Sequence, residues 1–130
     1  MNANYFSKVK QYLLELEYTI VKEDKEEGLF VIEKEEEFVK NMIIAIDEST
    51  VIIEQPLFKL KNETPEALKK LLRKNRDLIC GAIALTDDDT IIYRDTLQAE
   101  NLDLNELEAS IDSLSILLSE SGDELLELAK

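Results

Sequence analysis

Apolar residues change their period several times along this chain, and each change marks an element. Phe6, Val9, Leu13 and Leu16 recur three and four apart, which predicts a helix capped by Asn4 and running to about Glu17. The β-branched Thr19–Val21 then reads as a short strand, and the polar run Lys25–Gly28 turns it into a second, Leu29–Ile32. After the charged connection Glu35–Glu37, Met42–Ile46 and Thr50–Ile53 are almost unbroken apolar runs around Asp47–Ser49. Such runs predict central strands, covered on at least one face.

Thr64, Pro65 and Glu66 form a strong helix start: a capping hydroxyl, proline in the first turn and a carboxylate near the positive helix end. Leu68, Leu71 and Leu72 are its expected buried stripe, with the end near Asn75. Gly81–Leu85 and Thr90–Tyr93 read as a hairpin around Asp87–Asp89. Asp103 and Glu106 are spaced as a capping box for a long last helix. There Leu104, Leu107, Ile111, Leu114, Leu118, Leu125 and Leu128 hold three-four spacing, with Ser121 interrupting one position and Gly122 marked as a kink or end. Ile116 falls on the opposite face of that helix, which makes it the candidate partner-contact residue.

The expected order is α-β-β-β-β-α-β-β-α. Short turns force antiparallel pairing, so the fold class is α+β, with a sheet of five to six strands and three helices. No repeat, low-complexity tract or Pro/Gly-rich linker divides the chain, which reads as a single domain over residues 1–130.

Charge adds a functional constraint. Fifteen bases oppose 29 acids, a net charge of −14, which repels phosphate backbones and anionic lipid alike. No nucleic-acid or membrane partner is expected, and no small molecule is evident. The bias is uneven. From Asp95 onward there are ten acids and one base, whereas between Lys59 and Asp77 seven bases face three acids. These surfaces are solvated helix faces, or they meet each other or a partner. No export signal or membrane-length apolar run is visible, and a lone Cys80 implies no disulfide, so a cytoplasmic protein is expected.

Catalytic chemistry is hard to assemble. The chain has no histidine, which removes the commonest general base, proton shuttle and transition-metal ligand. Cys80 reads as a small buried hydrophobe, not a thiolate. Asp87–Asp89 suit a hairpin tip, and they fail as a calcium loop because Ile92 and Gln98 stand where glycine and glutamate are required. Three glycines supply no phosphate-binding pattern. Tyr93-Arg94-Asp95 reads as a strand end with a surface ion pair. No catalytic residue, cofactor or metal site is expected, and the chain reads as a non-enzyme.

Several strings carry a family resemblance. The strands Met42–Ile46 and Val51–Leu57, the helix end Leu71–Asn75, the strand opening Gly81–Leu85, and the stretches Tyr93–Leu97 and Leu102–Leu107 together resemble the YbjN-like proteins, grouped with the type III secretion chaperones of the Tir-chaperone class. One departure is that four strands precede the second helix, where secretion chaperones commonly have three. The resemblance implies a small, acidic, cytoplasmic bacterial protein, often homodimeric, that binds a partner polypeptide and does no chemistry. The leading expectation is therefore a chaperone-like protein-binding module that uses apolar sheet or helix surface. The alternative is an acidic regulator acting as a nucleic-acid mimic toward a basic protein.

Overall fold

The computed structural model describes residues 2–130, with side chains from Tyr5 onward. The elements run α1 (Asn2–Glu15), β1 (Thr19–Asp24), β2 (Leu29–Lys34), a 3-10 turn (Glu35–Glu37), β3 (Val39–Asp47), β4 (Thr50–Lys59), α2 (Pro65–Asp77), β5 (Ala82–Leu85), β6 (Thr90–Gln98) and α3 (Leu104–Glu127). The expected order holds, and the sheet has six strands in spatial order β1-β2-β3-β4-β6-β5, every neighbouring pair antiparallel.

Alternation along the strands divides the sheet into two faces. Phe30 and Ile32 of β2, Met42, Ile44 and Ile46 of β3, Val51 and Ile53 of β4, and Tyr93 of β6 are buried. They share one core with Phe6, Val9 and Leu13 of α1 and with Leu107, Ile111, Leu114 and Leu117 of α3. The rings of Phe6 and Phe30 stack with centroids 4.3 Å apart, which seats α1 on β2. The opposite face carries Leu29, Val31, Ile43, Ala45 and Ile52, each partly or wholly exposed, and the Glu54–Arg94 ion pair crosses it from β4 to β6. A period of two puts apolar residues on both faces of β3 and β4, which is why both read as continuous runs.

Several expectations are corrected. Asn4 lies inside α1, which begins at Asn2, and the helix ends at Glu15 because Glu17 turns left-handed with φ 65°. β3, β4 and β6 extend well beyond their apolar cores, since polar residues such as Gln55 and Arg94 continue the ladder. In α2 only Ala67 and Leu71 are buried, whereas Leu68 and Leu72 are 40% and 70% exposed. This helix packs beside β5, and one narrow stripe suffices for that contact. Asn75 accepts the Ile83 N–H and donates its amide to the Ile83 carbonyl at 3.2 Å. Helix α3 continues through Gly122 without a break, and Leu128 caps its end while remaining buried.

The terminal signals hold. The Thr64 side chain accepts the Ala67 N–H with Pro65 in the first turn. Asp103 and Glu106 form the reciprocal capping box at 2.8 and 3.3 Å. The oppositely charged stretches meet at Lys74, which pairs with Glu124 at 2.9 Å and donates to Ser121 at 3.1 Å. The polar interruption at Ser121 thus has a partner.

Candidate functional site

The connection between β2 and β3 ends in an unusual residue. Phe38 has φ 63° and ψ 18°, a left-handed conformation that costs a side chain with a Cβ about 1–2 kcal/mol. The residue is nevertheless 48% exposed, so burial of its side chain offsets that strain only in part. The backbone around it holds the shape. Gln55 of β4, only 4% exposed, donates its amide to the Phe38 carbonyl at 3.0 Å and accepts the Lys40 N–H at 3.1 Å. The Phe38 N–H returns to the Glu35 carbonyl, and the Ser115 hydroxyl of α3 donates to the Glu37 carbonyl at 2.6 Å. Strained backbone persists where its surroundings over-determine it, and such places cluster at functional sites.

Phe38 stands between two hollows and lines both. The larger, about 630 Å³, lies between the β3–β4 strands and the end of α3, against Pro56, Leu57, Phe58, Leu118, Leu125 and Leu126. The smaller, about 340 Å³, lies between the 3-10 turn and the middle of α3, and Ile116 lines it. Three large hydrophobic side chains are therefore both exposed and adjoining these hollows: Phe38, Ile116 at 42% and Leu126 at 58%. The structure places the residue singled out on helical geometry beside an aromatic that sequence reasoning missed. The available signals were an aromatic directly after three glutamates and a glutamine interrupting an apolar strand.

The electrostatics are one-sided. Glu33, Glu35 and Asp123 line the larger hollow and Glu36, Glu37, Asp112 and Glu120 the smaller, with Lys40 the single base among the lining residues. Burial first, then Glu37 and Glu108, push the Asp112 carboxyl above the usual carboxylate range. Lys34 answers in part: it pairs with Glu37 at 2.7 Å and donates to the Leu16 carbonyl at 3.0 Å.

The side chains of chemically versatile type have structural occupations. Tyr93 is fully buried, and its phenol donates to the Ser110 carbonyl at 2.6 Å. Desolvation leads in pushing that phenol up to about 12. Arg94 pairs across the sheet with Glu54, and Asp95 accepts the Ser110 hydroxyl at 2.6 Å. Cys80 is half-buried, and burial followed by Asp95 pushes its thiol up, away from thiolate character. Asp88 at the hairpin tip is pulled down to about 2 by the Thr86 and Thr90 hydroxyls. Among the described residues no group of three or more carboxylates or thiols is placed to hold a metal ion. No described helix is long and apolar enough to cross a membrane.

Residues 2–130 match the family model CesT_Tir_1, a type III secretion chaperone family. The chain belongs to this family. The CesT_Tir_1 fold also appears in solved structures at low identity. The chaperone–effector complex HopA1–SchA matches at 15% identity and a TM-score of 0.64, covering 90% of this chain and 93% of that one. The Yersinia pestis type III secretion chaperone SycH, solved with a stable fragment of YscM2, matches at 19% and 0.60, covering 95% and 98%. YbjN from E. coli, described as a putative transcription regulator, matches at 12% and 0.64, covering 91% of each chain. Among curated proteins none matches in sequence. The resemblance drawn from the strand and helix strings is therefore correct, and four strands before α2 do not exclude the family.

Proposed function

We propose that this CesT_Tir_1 member is a non-enzymatic, chaperone-like module, one domain over residues 1–130, that acts in the cytoplasm as a homodimer and binds a segment of a partner polypeptide. The observation that carries the reading is the display of Phe38. A left-handed, solvent-facing aromatic held by a buried glutamine, with Ile116 beside it, is costly unless something covers it. Fully burying a side chain of this size contributes about 1.5–3 kcal/mol, so three such anchors suit polypeptide capture. Structural relatives solved with a second polypeptide, the chaperone–effector complex HopA1–SchA and the heterodimeric ExoU–SpcU complex from the type III secretion system of Pseudomonas aeruginosa, support a polypeptide as the ligand class. The exposed Leu68 and Leu72 of α2 suit a second copy.

Affinity capture from native cells with mass spectrometry, paired with a solution mass, tests the reading. The expected result is one recurrent polypeptide retained by the native chain, lost with Ile116→Asp, and a mass of two chains. A monodisperse monomer that retains no polypeptide would overturn it.

A further inference from the structure

The hollows flanking Phe38 combine apolar anchors with a rim of one sign, and together these specify an occupant. Phe38, Ile116 and Leu126 offer exposed apolar surface, while seven carboxylates and one lysine line the space around them. An apolar segment alone would cover the anchors and strand those carboxylates in a drier environment, which is costly for unpaired charge. An acidic segment would be repelled. We infer that the paired hollows bind a basic amphipathic segment of another polypeptide, its apolar side chains on Phe38, Ile116 and Leu126 and its Lys or Arg side chains against Glu36, Glu37, Asp112 and Glu120.

This deepens the polypeptide-binding reading and rests on it. Two further observations agree. Asp112 already lies near Glu37 and Glu108 with an upshifted carboxyl, so an incoming cation relieves repulsion that Lys34, engaged with Glu37, leaves in place. The rim is also held rigidly, since Ser115 ties the 3-10 turn to α3 and Gln55 ties Phe38 to β4, so little ordering entropy is lost on binding. Charge complementarity of this kind sets orientation and partner choice.

The test uses two synthetic peptides with leucines at the same helical spacing, one filled with lysine and one with glutamate. The native chain is expected to bind the Leu/Lys peptide, less tightly as salt rises, and to leave the Leu/Glu peptide free. Glu36→Lys with Glu120→Lys, both at exposed positions, should weaken the Leu/Lys peptide by about tenfold or more and admit the Leu/Glu peptide. The control Glu26→Lys with Glu27→Lys, exposed in the β1–β2 turn, should change neither. Equal binding of both peptides, or equal weakening by the control pair, would overturn the inference, the latter showing only attraction to a negative protein. So would dissociation of a native dimer by Glu36→Lys with Glu120→Lys, because a second copy would then be the occupant. Capture from native cells separates the two levels of argument. If the reversed variant retains the native partner undiminished, this inference alone fails; if the native chain retains nothing, the polypeptide-binding reading fails with it.

Discussion

Two aromatic residues, Tyr93 and Phe38, sit where α3 serines bond to neighbouring backbone, and they end in opposite conditions. Tyr93 has no exposed surface, and its phenol lies within reach of the Ser110 and Cys80 carbonyls, while Ser113 donates to Cys80 and accepts from it. Every group there is satisfied from within the chain. Phe38 has an equally well-bonded backbone, through Ser115 and Gln55, but its ring stays half in solvent and its φ is strained. The same device, a helix hydroxyl clamping a loop, closes the core at one place and holds up a surface at the other. The difference separates stability from binding, and single substitutions should separate them too.

The largest effect is expected at the closed junction. A Cβ at Gly81 would lie 2.5 Å from the Tyr93 hydroxyl oxygen, at φ +72°. Gly81→Ala should therefore cost about 2–4 kcal/mol, from left-handed strain and overpacking together, read by urea unfolding. Next is Gln55→Ala, which strands the Phe38 carbonyl and Lys40 N–H and should cost about 1–3 kcal/mol. It should also raise hydrogen-exchange rates between Glu35 and Asn41 selectively. Phe38→Gly should do the reverse of both. Relief of the strained φ gives a gain of about 1 kcal/mol, while partner retention falls. A variant that loses stability at Phe38 would place that ring with Tyr93, in the core.

The fold was largely legible because its elements keep clean periods and its helices carry their own caps. Asp103, Glu106, Thr64 and Pro65 act within a few residues of themselves, so local sequence suffices. Phe38 was not legible, since its conformation depends on Gln55, which lies 17 residues away in sequence. Leu68 and Leu72 misled for a related reason: helical spacing predicts a stripe but not how much of it the neighbouring strand covers. The exposure of Ile116 was legible because a position opposite a seam is a local geometric fact; the hollow it lines is not.

The smallest effect sharpens the comparison through pH. Asp112 has a folded-state carboxyl raised by burial and by Glu37, so its ionised form opposes folding. That opposition is complete above the raised value and vanishes below the ordinary aspartate value near 4. Asp112→Asn should stabilise the protein at neutral pH, with the advantage shrinking to nothing as pH falls through this window in paired denaturant titrations. A pH-independent difference would mean that the carboxylate is not repelled there.

The amide of Asn75 has one further consequence. It occupies both the N–H and the carbonyl of Ile83, the middle of the outward-facing backbone on four-residue β5. A seventh strand approaching from that side finds its ladder already taken, so the sheet cannot be lengthened there by a neighbour or by another copy. Lengthening is left to β1, where the register breaks between Ile20 and Lys22 and the exposed side chains include Lys22 and Glu23. One side-chain amide thus gives a repeating hydrogen-bond lattice a terminus, and with it a direction.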